Sequence, residues 1–169
     1  MIFTTEIFIL NVNLRESTKI ILNMNDYTKY SQLVFDIIGS AMAVHKELRW
    51  GLHEAIYNEA LSLELDNRGI IGLAEQPIHC YYKGQLLEKQ YRADLIVGDI
   101  LVELKSCKEI IPQHRSQLFN YLRLTKLPIG LLLNFSEKGL TGERYGYDAT
   151  SNKCHLLDRN LVIVPSETP

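Results

Sequence analysis

Apolar residues recur at helical spacing along the first patterned stretch. Leu33, Val34, Ile37, Ile38, Ala41, Met42 and Leu48 follow Ser31, a residue type that caps helix N-termini. Arg49-Trp50-Gly51 interrupts the pattern. A second helix is expected from about Leu52 to Asn67, with Ile56, Ala60 and Leu63 as its stripe and Gly69 as its stop. After Gly69 the period falls to two. Residues 75–83 and 88–97 read as strands joined at Lys83-Gly84-Gln85, and residues 100–105 (ILVELK) read as a third. Pro112 suits the first turn of a helix running to about Leu124, which carries Leu118, Phe119 and Leu122. Residues 128–135 are a short apolar run bounded by turn residues, hence a buried strand. Residues 136–160 are polar and rich in Gly, Asn and Asp, with 161–164 expected as a last strand. The order helix, helix, three-strand meander, helix, strand predicts an α/β (α+β) domain.

This pattern divides the chain into a tail (1–30), one domain (31–135) and a C-terminal extension that adds a strand (136–169). The opening MIFTTEIFIL is broken by Glu6 and has neither a basic flank nor a small-residue cleavage site, so it does not read as a signal peptide. Met24 precedes the first patterned helix, and residues 1–23 are expected to be dispensable. No apolar run approaches the ~20 residues of a membrane span. The 169 residues are 46% hydrophobic and 22% charged, which argues against a disordered or collagen-like chain. Cys80, Cys107 and Cys154 include no CxxC pair, so a disulfide scaffold is unexpected and a reducing, cytoplasmic setting is expected.

The formal net charge of −2 hides an uneven distribution. Residues 1–80 carry six Lys/Arg against ten Asp/Glu. Residues 105–126 carry Lys105, Lys108, Arg115, Arg123 and Lys126 against Glu109 alone, with His114 in addition. Such a run is either a solvated helix face or a surface that meets phosphates.

Only Gly98 and Asp99 separate Val97 from Ile100, a loop length suited to a tight hairpin. That loop sets Leu95 opposite Val102 and Ala93 opposite Leu104 on one apolar face. On the other face Ile96 meets Leu101, Asp94 meets Glu103, and Arg92 meets Lys105. Opposed like charges destabilise a strand pair. A divalent cation reverses that sign, since two close carboxylates are good hard-oxygen ligands for Mg²⁺ or Mn²⁺. Glu103 and Lys105, two apart on one strand, share a face, which places an ammonium beside the carboxylates. The same four residues also read as a surface quartet neutralised by diagonal ion pairs.

Asp94 followed by Val102-Glu103-Leu104-Lys105 resembles the signature of the PD-(D/E)XK nuclease superfamily, with Ala93 where the pattern has proline. Gly51-Leu-His-Glu54-Ala-Ile-Tyr57 resembles the motif of its GxxExxY branch, as do Ile37-Ile38-Gly39, Val44–Leu48 and Tyr91-Arg92-Ala93-Asp94. Arg49-Trp50 and Ala43 depart from that branch. The resemblance covers residues 31–135. It implies a restriction-endonuclease-like core, with a mixed central sheet and β-meander flanked by helices. It also implies a nuclease that depends on Mg²⁺ or Mn²⁺ and acts on nucleic acid, foremost DNA, with a homodimer allowed for. Asp94 and Glu103 would hold the metal with Glu54 as a third carboxylate, and Lys105 would position the attacking water. Gln117-x-x-x-Tyr121 resembles the Q-x-x-x-Y motif of recombination-type nucleases, so Gln117 would fix that water or the phosphate. Tyr121, His114, Arg115, Lys108 and Arg92 are the expected contacts to nucleic acid.

Each of these residues also has a structural reading. Glu54 is a first-turn helix charge, Tyr57 a core residue, Tyr121 an edge beside the Leu118/Leu122 stripe, and His45 a buried hydrogen-bonded histidine. Rival functions are a non-catalytic module that binds nucleic acid or a partner, and hydrolysis of a small phosphate. No Gly-rich phosphate loop, HExxH or GxSxG occurs.

Overall fold

The computed structural model describes residues 26–165; the expectations for residues 1–23 lie outside them. Two helices, α1 (Ser31–Leu48) and α2 (Glu54–Asn67), precede the sheet. The strands are β1 (Gly72–Ile78), β2 (Tyr81–Tyr82), β3 (Gln85–Leu86), β4 (Tyr91–Val97) and β5 (Ile100–Lys105). Helix α3 (Pro112–Thr125) follows, then β6 (Ile129–Ser136), β7 (Gly139–Asp148) and β8 (Lys153–Leu157). Six strands form one mixed sheet in the order β1-β4-β5-β6-β7-β8, in which β5 and β6 run parallel and every other pair is antiparallel. The parallel pair needs a crossover, and α3 supplies it.

One face of the sheet packs under α1 and α2. Val34, Ile37, Ala41 and Val44 from α1 and Tyr57, Leu61 and Leu65 from α2 meet Leu95, Val97, Ile100, Val102 and Leu104. On the other face, Leu118, Tyr121 and Leu122 of α3 meet Leu101, Leu132, Tyr145 and Tyr147. Strand β6 lies between the two layers and is buried along its whole length, which explains its unbroken apolar sequence.

Several expectations need correction. Ser31 does not cap α1: a 3₁₀ turn (Thr28–Tyr30) runs into it, and Asp26, just ahead of that turn, accepts from the Thr28 amide at 3.0 Å. Met42 is 60% exposed. The α2 stripe is rotated by one position, since Ile56 and Leu63 face solvent while Tyr57, Asn58, Leu61 and Leu65 are buried. Two polar residue types, Tyr and Asn, hold the inward face and masked it. The expected strand 75–83 is β1 plus half of a small separate hairpin, β2–β3, whose turn is Lys83-Gly84. Pro77 is tolerated because β1 is an edge strand. Residues 136–160, read as polar connection, contain β7 and β8, while 161–164 contributes only a bridge from Ile163 to Leu157.

Gly146 on β7 shows how tightly the segment before α1 is seated. A Cβ there would stand 2.4 Å from the ring carbons of Tyr27, whose side chain is buried against the sheet and whose hydroxyl burial pushes up to about 12. Gly146→Ala should displace that ring and cost about 1–3 kcal/mol, as overpacking does. Thermal melts in a Tyr27→Ala background check this, since the same glycine change should there be near neutral. Equal losses in both backgrounds would contradict it.

Candidate metal and phosphate site

The hairpin register is the expected one for Val97–Ile100, Ile96–Leu101 and Leu95–Val102, and there the ladder stops. Beyond it the Asp94 side chain takes the place of a strand bond: its carboxylate accepts from the Leu104 amide at 2.8 Å. Asp94 is thus tied to the strand that carries Glu103 and Lys105. Arg92, past the end of the ladder, does not face Lys105. It is solvent-exposed and lies 3.5 Å from Glu75 of β1. Ala93, expected on one apolar face with Leu95, Val102 and Leu104, is buried with the α3 cluster, whereas those three pack under α1 and α2.

Glu103 is fully buried and Lys105 is only 7% exposed. The Lys105 ammonium donates to Glu103 Oε2 at 3.2 Å, while Glu103 Oε1 is buried with no hydrogen-bond partner among the described residues, although the Asp94 backbone lies close enough to favour the carboxylate. Burial raises the Glu103 carboxyl to about 7, and the Asp94 charge adds to the rise while Lys105 opposes it. Burial raises Asp94 as well, against the Leu104 amide and Lys105. For Lys105, burial acts to lower the ammonium, but Glu103, Glu54 and Asp94 outweigh it and the net shift is upward. A surface quartet neutralised by diagonal pairs would look different. Here Glu103 is wholly out of water and Asp94 partly so, and the Lys105 ammonium acts on both.

Glu54 opens α2 and reaches the far end of β5, where its Oε1 accepts from the Ser106 amide at 3.2 Å. Among the described residues no three His, Cys, Asp or Glu side chains gather closely enough to hold an ion, while the charge of Glu54 acts on both Asp94 and Lys105. Two carboxylates still fit Mg²⁺, which is usually held by one or two of them plus waters and substrate phosphate. The unpaired Glu103 Oε1 is the donor such an ion would use.

The GLHEAIY segment has a local physical explanation. Gly51 takes φ +95°, a conformation that favours glycine. His53 caps α2 by accepting from the Ala55 amide, and Tyr57 turns back inside. Its hydroxyl donates to Arg49 O at 2.8 Å and accepts from the Leu52 amide at 3.2 Å, while its ring stacks on Phe135 at 4.2 Å. Motif and core are the same object here: the tyrosine clamps the connector that sets Glu54.

Helix α3 lies over the carboxylate face. Gln117 Nε2 donates to Tyr121 Oη at 3.2 Å, and the Tyr121 ring, 6% exposed, tilts against Tyr91 at 5.4 Å. Burial raises the Tyr121 hydroxyl, and the charges of Glu103, Asp94 and Lys105 all act on it, which places it beside them. His114 Nδ1 accepts from the Ile111 amide at 3.4 Å in the first turn, and burial and Lys105 lower its imidazole. His45 has the structural role expected of it, with Nε2 2.9 Å from Ser136 O.

The basic run is thinner than its count of charges. Lys105 is taken up by Glu103, and Lys126 donates to Tyr147 Oη at 3.1 Å. Arg115 makes a two-pronged bond to Glu143 on β7, at 2.7 and 2.5 Å. Lys108 and Arg123 remain exposed. Burial works against the Glu143 charge, but Arg115 and Tyr145 outweigh it and hold the carboxyl below the usual glutamate value. A depressed folded pKa gives stability that is present above the unfolded value and lost as pH falls through the folded one. The melting temperature should therefore fall below about pH 4.3, the ordinary glutamate value, and Glu143→Gln should flatten that limb. An unchanged acid limb in the variant would show that the pair contributes nothing.

Two positioning residues escaped the sequence reading. Asn58 Nδ2 donates to Asp94 O at 2.9 Å, holding β4 from the α2 side. Asn134 accepts from the Cys107 amide at 3.0 Å and donates to Cys107 O at 2.9 Å, fixing the turn after Lys105. A lone asparagine inside the apolar run of β6 was the available signal for the second. Asn58 carried none beyond its neighbour Tyr57.

The sequence model of the PD-(D/E)XK nuclease superfamily matches residues 31–144. No curated protein sequence matches the chain significantly. Among solved structures the chain is similar to the crystal structure of SSO0001, at 21% identity and a TM-score of 0.43. The overlap covers 57% of this chain and 52% of that one, so the chain spans about half of that protein, and nothing about the site follows from it. No helix among the described residues is long and apolar enough to cross a membrane.

Proposed function

We propose that this chain, which belongs to the PD-(D/E)XK nuclease superfamily, is a metal-dependent nuclease of the GxxExxY branch that hydrolyses phosphodiester bonds in nucleic acid, DNA foremost. The observation that carries the reading is the buried Glu103 with one oxygen unpaired, set against Asp94 and Lys105. Such a carboxylate adds little to the fold, since a buried charge whose side-chain partner is one ammonium is costly to desolvate. Asp94 and Glu103 would hold Mg²⁺ or Mn²⁺, which supplies Lewis acidity to the phosphoryl oxygen and neutralises developing charge. Lys105 orients the attacking water through its remaining N–H donors and stabilises charge on the phosphate. Gln117 and Tyr121 offer an amide and a hydroxyl from above, able to exchange their mutual bond for one to phosphate. Glu54 acts on Lys105 through its charge and on the end of β5 through Ser106.

The test is a cleavage assay on single- and double-stranded DNA and RNA with Mg²⁺, Mn²⁺ or chelator. Chelator-sensitive strand scission is expected. Tight binding of the same substrates with no scission under any metal would favour the non-catalytic binding module instead.

A further inference from the structure

Just past Lys105, at the end of β5, the molecule has a cavity of about 390 Å³ that the chemistry above leaves unused. It opens past the carboxyl ends of β5 and β6, the one parallel pair of the sheet, where ligands of open α/β sheets usually sit. Its wall is mostly apolar. Phe135, Trp50, Ser106 and Ser136 line it, and Lys108 and Lys138 stand exposed on its rim with Glu137 between Ser136 and Lys138. A second hollow, lined by Glu54, Leu52 and His53, shares Gly51 and Ser106 with it. The two adjoin at Gly51 and Ser106 as a trough running from Glu54, the first residue of α2, to Trp50.

Trp50 is 53% exposed, and its loop is built rather than loose. The Tyr57 hydroxyl bonds Arg49 O on one side of it and the Leu52 amide on the other. Arg49 and Gly51, its direct neighbours, both take positive φ, at 62° and 95°. For Arg49 that conformation is strained, and such strain persists where surrounding contacts impose it. A large apolar ring is thereby fixed in water, with cations close by.

We propose that this trough receives an unstacked nucleobase flanking the scissile phosphate, with Trp50 as its stacking platform and Lys108 and Lys138 on the neighbouring phosphates. This rests on the nuclease reading and deepens it: the substrate at the site is single-stranded, or a duplex end or lesion with a base free to leave the stack. Every nucleobase has a π-face, so the contact carries little sequence preference, whereas a base inside a continuous duplex has no free face to offer.

Trp50 is the sole tryptophan of the chain, so its fluorescence reports the trough and nothing else. The Lys105→Ala protein, unable to cleave, is titrated with a single-stranded DNA, an RNA of the same sequence, the blunt DNA duplex and an abasic strand of equal length. Quenching by the single strands, and little by duplex or abasic strand, is expected. Trp50→Leu should weaken single-strand binding about tenfold, within the range of one lost stacking contact, and leave duplex binding unchanged. No quenching, or equal quenching by the abasic strand, would overturn the proposal even if the parent protein cleaves. Base-dependent quenching in a protein that cleaves nothing would instead uphold the trough and overturn the nuclease reading. DNA and RNA quenching alike supports a base-stacking site; quenching by RNA alone would overturn DNA as the substrate class.

Discussion

Glu103→Gln is expected to abolish cleavage and, at the same time, to raise the melting temperature. The side chain is fully buried, one oxygen has no partner among the described residues, and the other is bonded by a single ammonium. Glutamine keeps the shape and removes the charge. Loss of one preorganised electrostatic group typically lowers turnover about 10²–10³-fold, and loss of half the carboxylate pair should reach at least that. The stability change has two parts of opposite sign. Removing an underpaired buried charge stabilises, while leaving the Lys105 ammonium without Glu103 destabilises. Because Asp94 and Glu54 also act on Lys105, the first part should win by about 1–2 kcal/mol, or about 2–8 °C in a domain this size. A variant that melts lower and still cleaves would reduce Glu103 to a structural residue.

Tyr57 is the second place where a large effect is expected, and here stability leads. Its ring is fully buried and stacked on Phe135 at 4.2 Å, so Tyr57→Ala should cost about 3–5 kcal/mol, the range for emptying an aromatic core position. Tyr57→Phe separates packing from clamping. It keeps the stack and leaves Arg49 O and the Leu52 amide to water, a loss of about 0.5–1.5 kcal/mol per bond because both residues are exposed. The connector it releases sets Glu54 and carries Trp50, so activity should drop further than stability alone explains. Melts and initial rates measured well below the melting temperature check this. A Tyr57→Phe protein with parental rates would make the clamp purely structural.

The parts of the fold legible in the sequence are those where one physical signal dominates. The two-residue Gly98-Asp99 loop determines the β4–β5 register as far as Leu95, because alternation leaves no other pairing with the apolar set inside. Strand β6 announces itself because burial on both faces demands an apolar run. Legibility fails where side chains serve two purposes. The inner face of α2 holds Tyr57 and Asn58, whose polar atoms serve backbone groups across the connector and on β4, so hydrophobic spacing alone picks the wrong stripe. Strand β7 is hidden by Gly142 and Gly146, which leave room for Leu133 and Tyr27 and dilute its strand composition.

The site follows the same division. Glu103 and Lys105 share a face by alternation, as read. The direct opposition of Asp94 and Glu103 does not extend from the hairpin, because the Asp94 carboxylate itself ends the ladder on the Leu104 amide. Charge counting misleads most. Arg115 reads as a free cation along the chain, but Glu143 lies 28 residues downstream on a strand that composition does not reveal.

The central claim is that Asp94 and Glu103 hold a divalent ion while Lys105 acts on the reaction rather than on the ion. Calorimetric titration of Mn²⁺ into the parent, Asp94→Ala and Lys105→Ala proteins, with cleavage rates on the same samples, tests it most directly. Asp94→Ala should lose both binding and cleavage, and Lys105→Ala should lose cleavage while binding Mn²⁺ at least as tightly as the parent. Parental Mn²⁺ binding and parental cleavage in both variants would contradict the claim.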